Sequence, residues 1–410
     1  MSDPLSFLDT ELDSLNVQGL LRANISLDGP PGPRVQRGGR TLVNFSSNDY
    51  LGLAFDPRVR HGAAAAALAF GGGAAASRLL GGDLPIHREL EAAIAELKGT
   101  AAALLFPSGL QANLGTIAAL VGEGDAVFSD ALNHASIIDG CRLARAQRYI
   151  YRHLDLDDLE GQLRQSAAER KLVISESLFS MDGDVAPLAD LCALVERHGA
   201  LLMIDEAHAT GVHGDGAGLC RELGVADRVH VQMGTLGKAL GAAGAYVAGE
   251  RRLVEFLINK ARSYIFTTAP APASCGAALA AIAIVRSPEG TDLRATLKRS
   301  AARLASALRA AGLPLIGGER QLMAVRAGTP EQAVAASALL ETRGFLVRAV
   351  RPPTVRAGTS RLRLCVSAGH AEAEIDALVC ALGELLGPAR RAVGSGLQSE
   401  VRATRAQELP

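Results

Sequence analysis

One lysine in this sequence lies in a setting suited to covalent chemistry. Only five of the 42 basic residues are lysines, and Lys238 alone follows an apolar segment and lies between glycines, Gly237 and Gly241. A solvated turn is the ordinary explanation for a lone lysine. Apolar surroundings that lower the pKa of the amine, and glycines that permit close approach, are instead what an imine-forming lysine needs. The remaining lysines are expected at surfaces or at the ends of elements: Lys98, Lys171, Lys260 and Lys298.

An acid and a histidine follow a predicted strand at 201–205. The strand ends at Asp205, and His208 lies three residues later. A helix cap is the simple explanation for such an acid. However, open α/β sheets bind ligands at the carboxyl ends of their strands. A carboxylate there could keep a pyridine nitrogen protonated, which makes the ring an electron sink.

The letters Asp-Glu-Ala-His at 205–208 also occur in one group of nucleotide triphosphatases. Those enzymes need a glycine-rich phosphate loop with a Lys followed by Ser or Thr, placed earlier in the chain. The segment around Lys238 has the wrong spacing, lacks the hydroxyl and follows Asp205. We therefore exclude a triphosphatase.

Two further turns carry polar groups. Ser108 and Gly109 lie between an apolar strand and a helix, where free amides form an anion site and glycine permits close approach. The hydroxyl of Thr235 could serve the same anion, although a simple cap would also explain it. His134 follows another strand. It could stack on a planar ring or be an ordinary structural histidine, and the residues alone leave both possibilities open.

Charge and composition exclude several classes of protein. The net charge is -1, only 4% of the residues are aromatic and there is no Trp. A phosphate-backbone binder, a membrane-surface binder and a stacking platform for single strands are therefore disfavoured. None of the six cysteines forms a C-x-x-C pair, which disfavours a zinc site, and we expect a reduced, cytoplasmic protein. The start of the chain is acidic and does not resemble a signal peptide.

Short apolar segments alternate with helical patterns, which predicts an α/β protein with a largely parallel, doubly covered sheet. The expected division is an N-terminal segment (1–40), a large domain (41–290), a smaller α/β domain (291–387) and a flexible tail (388–410). Residues 28–40 are expected to form a connector. The uncharged run 263–285 contains prolines and is expected to be a buried loop followed by a helix, because its proline-free part is too short to span a bilayer.

The predicted strands are 101–106, 126–129, 148–151, 172–175, 201–205, 229–233 and 245–248, followed by 322–326, 345–350 and 362–366. The predicted helices include 111–121, 188–198, 293–311, 331–343 and 372–386.

A series of motifs between residues 42 and 386 resembles one family. The motifs are Asn44 to Gly52, Arg78 with Gly81-Gly82-Asp83, His87 to Glu91, Ser108-Gly109, Asn133 to Ser136, Glu176 to Asp184, Asp205 to His208 and Thr235 to Lys238. Together they resemble the α-oxoamine synthases, which are pyridoxal-phosphate enzymes of the aspartate-aminotransferase fold (fold type I). This resemblance implies a large cofactor-binding domain with a mixed, mostly parallel sheet, a smaller C-terminal α/β domain, and a homodimer with shared active sites.

The resemblance also implies a role for each site residue. Lys238, Asp205 and His134 would be catalytic: the lysine forms the imine, the acid pairs with the pyridine nitrogen and the histidine stacks on the ring. The other cofactor contacts would be Ser108, Gly109, Leu110, Ser180, His208, Thr235 and, for the phosphate of the neighbouring subunit, Thr268. Substrate contacts would be Arg22, Asn48, His134, Thr354 and Arg363, with Arg363 on the amino-acid carboxylate. No metal is implied.

The segment from Arg351 to Leu364 bears on the substrate. Its Arg-Pro-Pro-Thr-Val opening and later Arg-Leu-Arg-Leu resemble the branch that condenses L-alanine with a pimeloyl thioester, carried by coenzyme A or acyl carrier protein. Glycine-using relatives, of the 2-amino-3-ketobutyrate ligase or 5-aminolevulinate synthase type, are the alternative within the family. A serine-using, lipid-forming relative fits less well. An alternative of a different class is a non-catalytic pyridoxal-phosphate-binding protein.

Overall fold

The computed structural model describes residues 3–387, so the tail predicted at 388–410 lies outside the described residues. Contacts within the chain define two units. The larger unit comprises Asp49–Ser180 and Asp184–Thr296. The smaller unit comprises the described residues up to Asn48, Met181–Gly183, and the described residues from Leu297 on. The domain limits that we expect at residues 40 and 290 stay predictions.

The strands, in chain order, are β1 (Arg34–Arg37), β2 (Arg40–Asn44), β3 (Ala102–Phe106), β4 (Ala126–Asp130), β5 (Gln147–Tyr151), β6 (Lys171–Glu176), β7 (Leu201–Asp205), β8 (Val231–Thr235), β9 (Ala245–Gly249), β10 (Leu315–Ile316), β11 (Leu322–Gly328), β12 (Phe345–Leu346), β13 (Arg348–Val350) and β14 (Ser360–Cys365).

The α-helices, in chain order, are α1 (Ser6–Val17), α2 (Pro57–Phe70), α3 (Pro85–Lys98), α4 (Gly109–Leu120), α5 (Ala135–Leu143), α6 (Leu156–Gln165), α7 (Leu188–Arg197), α8 (Leu219–Glu222), α9 (Arg251–Lys260), α10 (Arg262–Ile265), α11 (Pro272–Val285), α12 (Pro288–Ala310), α13 (Pro330–Thr342) and α14 (Glu372–Leu386).

A seven-stranded sheet forms the centre of the larger unit, in the order β3-β9-β8-β7-β6-β4-β5. The pairs from β8 to β5 are parallel, whereas β9 is antiparallel to both β8 and β3. The strands are apolar on both faces because a separate hydrophobic cluster covers each face. Leu104, Ile137 and Val247 belong to one cluster, and Phe128 and Leu163 to the other.

The strand directions bring the carboxyl ends of β3, β4, β6, β7 and β8 to one edge of this sheet. β3 runs in the same direction as β8 because both are antiparallel to β9, and Phe106 and Thr235 both pair with Ala245. The loops that follow these strands are the places where such sheets bind ligands.

The smaller unit contains a four-stranded antiparallel sheet, β10-β11-β14-β13, and a three-stranded sheet, β1-β2-β12. α13 packs against β11, β13 and β14, and also contacts α14. The predicted strand 345–350 is in fact divided between the two sheets, as β12 and β13. The expected connector at 28–40 is partly wrong, because Arg34–Arg37 pairs with β2 and buries Val35 against Leu42.

The uncharged run 263–285 is only partly as expected. α11 confirms the helix, but the loop before it is not buried, since Phe266 and Thr268 are exposed. Within residues 3–387, no helix has the length and hydropathy needed to cross a membrane.

Lys98 lies at the end of an element, one of the two positions expected for it, but it is not at the surface. Lys98 lies at the end of α3 and is buried, and its Nζ contacts a carboxylate oxygen of Glu206 and the carbonyl oxygen of Ala217. Burial lowers the pKa of Lys98, but the charge of Glu206, those of Tyr246 and Cys220, and the hydrogen bond to Glu206 together outweigh burial, and the net direction is upward. Glu206 also accepts a 2.9 Å hydrogen bond from the amide of Cys220. The pair therefore neutralises two charges inside the larger unit.

We predict that Lys98→Met lowers the free energy of unfolding by about 3–5 kcal/mol, because it leaves the Glu206 carboxylate buried without its cation. Urea denaturation would measure the change. Lys260→Met, at an exposed position in the same unit, is the matched control and should change stability little. Equal effects of the two substitutions would show that the Lys98 pair is not required.

Candidate active site

Lys238 ends a chain of three hydrogen-bonded side chains in the larger unit. Its Nζ lies 2.8 Å from Nε2 of His208, and Nδ1 of the same ring lies 2.7 Å from the hydroxyl of Tyr50. Lys238 lies in the turn between β8 and β9. Gly241 in this turn has a φ of +58°, and a Cβ there would lie 2.4 Å from the amide nitrogen of Ala54. Only glycine fits this position, which fixes the path of the chain beside the lysine.

Asp205 is held by two donors at the end of β7. The side-chain amide of Asn113, from α4, donates to Oδ2 at 3.0 Å, and the backbone amide of Ala207 donates to Oδ1 at 2.9 Å. Asn113 also donates to the hydroxyl of Ser136 at 2.9 Å. The carboxylate therefore has a fixed orientation.

His134 follows β4 and caps α5. Its Nδ1 accepts a hydrogen bond from the backbone amide of Ser136 at 3.2 Å, so the ring proton is assigned to Nε2. Burial lowers the pKa of His134, the charge of Asp205 raises it and that of Lys238 lowers it, with a net downward shift. A neutral imidazole results, which can lie against a flat ring without a charge of its own.

Glu176 is a residue of this site that we did not single out from the sequence. It ends β6, is buried, and pairs in register with Asp205 on β7. Its Oε1 accepts a 2.7 Å hydrogen bond from the amide of His134, and it also accepts from the amide of Ser180. Burial, followed by the charge of Asp205, raises the pKa of Glu176. The available signal was its place at the start of the 176–184 motif.

The predicted anion site lies at the start of α4. Ser108 is the N-cap, with its hydroxyl 3.2 Å from the amide of Gln111, and Gly109 and Leu110 form the first turn. Thr235 lies at the end of β8. Its hydroxyl donates to the carbonyl of Gly244 at 3.0 Å and accepts from the amide of Gly237 at 3.2 Å. The helix N-terminus therefore offers amide donors, and Thr235 also has a local structural role.

Two further predicted cofactor residues differ in exposure. Ser180 is buried in the loop that follows β6, whereas Thr268 is exposed after α10. Thr267, which precedes Thr268, accepts a 3.1 Å hydrogen bond from the side chain of Gln111 in α4.

The predicted substrate residues, apart from His134, belong to the smaller unit. Arg22, Thr354 and Arg363 line a cavity of about 250 Å³ together with Arg348 and Arg351, which we did not predict. Both terminal nitrogens of Arg363 donate to the side-chain oxygen of Asn48 at 3.1 Å.

The side chains of the larger unit fit the cofactor expected from the resemblance. An aldehyde requires an amine, and a pyridine nitrogen requires a fixed carboxylate. A flat ring can lie against a neutral imidazole, and a phosphate can bind the amides of a helix N-terminus. All of these groups lie on loops at the same edge of the sheet. Among the described residues no cluster of His, Cys, Asp and Glu could hold a metal ion.

A model of the aminotransferase class I and II family matches residues 40–382. The chain belongs to this family. An 8-amino-7-oxononanoate synthase of Anaeromyxobacter dehalogenans is 53% identical over 383 residues, covering 93% of this chain and 96% of the relative. The enzyme of the same name from Geobacter sulfurreducens is 48% identical over 92% of this chain and 96% of the relative. The family recognised from the sequence motifs is confirmed.

Solved structures share the fold. Serine palmitoyltransferase from S. paucimobilis, determined with pyridoxal phosphate and myriocin bound, is 32% identical with a TM-score of 0.88, covering 96% of this chain and 100% of that one. An 8-amino-7-oxononanoate synthase from Francisella tularensis is 25% identical with a TM-score of 0.71, covering 84% of this chain and 97% of that one. The predicted fold class, with its mixed and mostly parallel sheet, is confirmed.

We predict that Glu176→Gln becomes increasingly stable relative to the wild type as the pH rises from about 5 to 8. The raised pKa means that the folded state holds the proton of Glu176 more tightly than the unfolded state, whose value is near 4.5. The wild type therefore loses stability as the pH rises through this window, and a glutamine, which keeps an acceptor oxygen, does not. Urea denaturation at several pH values measures the difference.

Glu196→Gln is the control for this prediction, because Glu196 is exposed and Arg228 lowers its pKa through a side-chain hydrogen bond. This variant should show no such gain with pH. A pH-independent difference between Glu176→Gln and the wild type would contradict a proton on Glu176.

Proposed function

We propose that the chain is a pyridoxal-phosphate-dependent acyltransferase of biotin biosynthesis. It condenses L-alanine with a pimeloyl thioester and yields 8-amino-7-oxononanoate, CO2 and the free thiol. One carbon–carbon bond forms at Cα of alanine, the thioester C–S bond and the bond from Cα to the carboxylate break, and Cα ends with a proton. The relatives that carry this name, 45–56% identical among those compared, support the proposal.

When bound, pyridoxal phosphate supplies an aldehyde for the amine of Lys238 and a protonated ring that takes up the electrons left at Cα. Asp205, oriented by Asn113 and Ala207, would hold the proton on the ring nitrogen. The first turn of α4 and Thr235 would hold the phosphate, and His208, fixed by Tyr50, would contact the ring hydroxyl. His134 would lie against the ring.

Lys238 also moves protons. With the amino acid bound, its free amine would take the Cα proton and later return a proton to the same carbon. Its contact with His208, at 2.8 Å, keeps Nζ in a fixed direction between these steps. His134, neutral with a proton on Nε2, can donate to the acyl carbonyl oxygen or to the departing carboxylate.

The observation that carries the substrate assignment is the cavity of the smaller unit. Among the described residues that line it there are four arginines and no acid: Arg22, Arg348, Arg351 and Arg363. Arg348 and Arg363 lie directly opposite each other on β13 and β14, where like charges destabilise the pair. Burial, then Arg22 and Arg348, lowers the pKa of Arg351. An anionic ligand would relieve this repulsion.

Guanidinium groups recognise carboxylates by paired hydrogen bonds. We therefore assign Arg363, held by Asn48, to the carboxylate of alanine. Arg22, Arg348 and Arg351, with Thr354, are assigned to the carboxylate at the far end of the pimeloyl chain. A palmitoyl chain, as in the name of the solved neighbours, has no such group. The thioester carrier, coenzyme A or acyl carrier protein, is not distinguished by this cavity.

A homodimer is part of the proposal. The larger unit leaves large apolar side chains exposed, among them Leu68 (89%), Leu80 (84%) and Phe266 (69%). A second copy would cover such residues. Thr268, close to Phe266 and exposed, is then available to the phosphate of the partner. A cytoplasmic location stays a prediction from the sequence.

We expect Lys238→Ala to abolish both turnover and covalent attachment of the cofactor, because no other side chain can replace the amine. Borohydride reduction followed by peptide mass spectrometry should find the cofactor on the Lys238 peptide of the wild type and nowhere in the variant. Lys260→Ala, at an exposed position, should behave as the wild type. Attachment or turnover that persists in Lys238→Ala would refute the assignment.

We expect Arg351→Gln to lower kcat/KM for pimeloyl-coenzyme A about 10- to 100-fold, which corresponds to the loss of a charged hydrogen bond. Heptanoyl-coenzyme A, of equal length but without the terminal carboxylate, should be a poor substrate that the variant uses as well as the wild type does. Arg356→Gln is the control, since Arg356 is exposed on the same loop and does not line the cavity.

Product identification by mass spectrometry with alanine, glycine and serine completes this test. Preference for glycine would favour the glycine-using alternative, and preference for serine with palmitoyl-coenzyme A would refute the proposed substrates. Equal losses with pimeloyl- and heptanoyl-coenzyme A would show that Arg351 binds the carrier and not the acyl chain.

A further inference from the structure

His153 lies between two carboxylates just after β5. Its Nδ1 is 2.8 Å from Oδ1 of Asp130, and its Nε2 is 2.5 Å from Oδ2 of Asp184. The ring also packs edge-on against Phe179, with centroids 4.5 Å apart at 88°. Both ring nitrogens can bond to ionised carboxylates only if both donate, which requires a doubly protonated imidazolium.

Asp130 connects this imidazolium to the loop of His134. It ends β4 and is buried, and its Oδ1 accepts a 2.8 Å hydrogen bond from the amide of Leu132, at the start of the turn that leads to His134. Its Oδ2 accepts from the amide of Leu154 at 2.9 Å. One carboxylate therefore braces both the turn after β4 and the turn after β5.

Asp184 connects the same ring to the loop of Ser180. Its carbonyl accepts a 3.0 Å hydrogen bond from the amide of Phe179, and a backbone bridge joins Leu178 to Val185. These contacts close the loop that follows β6. Ser180 comes directly after Phe179, whose ring lies against His153.

We infer that His153 is a positioning residue for the cofactor: clamped between Asp130 and Asp184, its imidazolium fixes the turn that carries His134 and the loop that carries Ser180. It acts only through these two loops. The inference rests on the proposed function for the identity of the cofactor, and the clamp itself rests on the geometry of the larger unit.

The electrostatics agree with the clamp. Burial lowers the pKa of His153, but the hydrogen bonds to Asp130 and Asp184 and the charges of these two acids together outweigh burial and raise it to about 9. Tyr151, at the end of β5, is also close to Asp130: burial, followed by the charge of Asp130, raises the pKa of Tyr151, so it stays neutral. The contribution of protonated His153 to the stability of the folded protein is complete below the ordinary histidine pKa of 6.5. It is lost as the pH rises through about 9.

Two variants test whether the charges of His153 and its partners, and not only the size of the side chains, hold the two loops. His153→Gln removes the imidazolium, and Asp184→Asn keeps an acceptor oxygen for the ring but removes one charge. His198→Gln is the matched control, because His198 also contacts a carboxylate, Glu160 at 3.4 Å, away from these loops. Each variant is studied as the holoenzyme, with thermal denaturation to show that it is folded.

Three measurements are made on these proteins. The first is the pKa of His153 from nitrogen-15 NMR of labelled histidines, with its signal assigned by its loss in His153→Gln. The second is the dissociation constant of pyridoxal phosphate at pH 7, from absorbance titration after dialysis. The third is the dependence of that constant on pH between about 6 and 10.

We expect the wild-type His153 to titrate near pH 9 and the affinity for pyridoxal phosphate to fall through the same range. His153→Gln should raise the dissociation constant of pyridoxal phosphate about tenfold or more. Losses of this size are typical when a residue that orients the direct ligands of a bound group is removed. His153→Gln should also lose this alkaline step. Asp184→Asn should move both the titration of His153 and the alkaline step to lower pH, and His198→Gln should change neither.

A wild-type His153 that titrates at or below about 6.5 would overturn the imidazolium clamp. Wild-type affinity and pH dependence in His153→Gln would overturn its role in positioning. If His153→Gln does not fold, the shift expected in Asp184→Asn still decides. If the wild type binds no pyridoxal phosphate, the proposed function fails, whereas the titration of His153 tests the clamp independently.

Discussion

The site depends on buried acidic side chains at the ends of adjacent parallel strands. Asp130, Glu176 and Asp205 end β4, β6 and β7, and all three are buried. A buried carboxylate is costly unless hydrogen bonds satisfy it. Asp130 and Glu176 each accept hydrogen bonds from the backbone amides of two loops. Asp130 braces the turns after β4 and β5, and Glu176 braces those after β4 and β6.

The loop after β4 is therefore held by Asp130 from its own strand and by Glu176 from the neighbouring strand β6. His134 illustrates the result: its turn is fixed by Asp130 at Leu132 and by Glu176 at its own amide. Asp205 has a different environment, since its partners are the side chain of Asn113 and the amide of Ala207. Two of the acids thus hold backbone amides, and the third, Asp205, has an oriented carboxylate, which is the group proposed to pair with the ring nitrogen of the cofactor.

Local pattern was sufficient to predict much of the fold and the centre of the site. The strands of the larger unit, α4, α7 and α14 were expected within a few residues of their observed limits, because continuous apolar segments and helical periodicity are local signals. Lys238 was identifiable because glycines flank it. Asp205 was identifiable because it ends an apolar strand.

Features that depend on distant pairing were not predictable from local pattern. Lys98 looks like a surface lysine until Glu206, 108 residues later, is placed beside it. β1 forms in a segment rich in Gly, Pro and Arg only because β2 pairs with it. His153 follows an ordinary strand, and nothing nearby in the sequence indicates that Asp130 and Asp184 converge on its ring. Arg348 could be recognised as part of the cavity only from the strand register, which places it opposite Arg363.

That register also bears on substrate selection. Serine palmitoyltransferase shares this fold with a TM-score of 0.88, so the backbone cannot by itself choose between acyl chains. The choice must rest on side chains. Two arginines directly opposed on antiparallel strands, in a cavity that two more line, oppose the folding of the smaller unit. Such an arrangement is useful only if a ligand neutralises it. On the proposed function, an acyl chain that ends in a carboxylate would do so, and a palmitoyl chain of the same reactivity at its thioester would not.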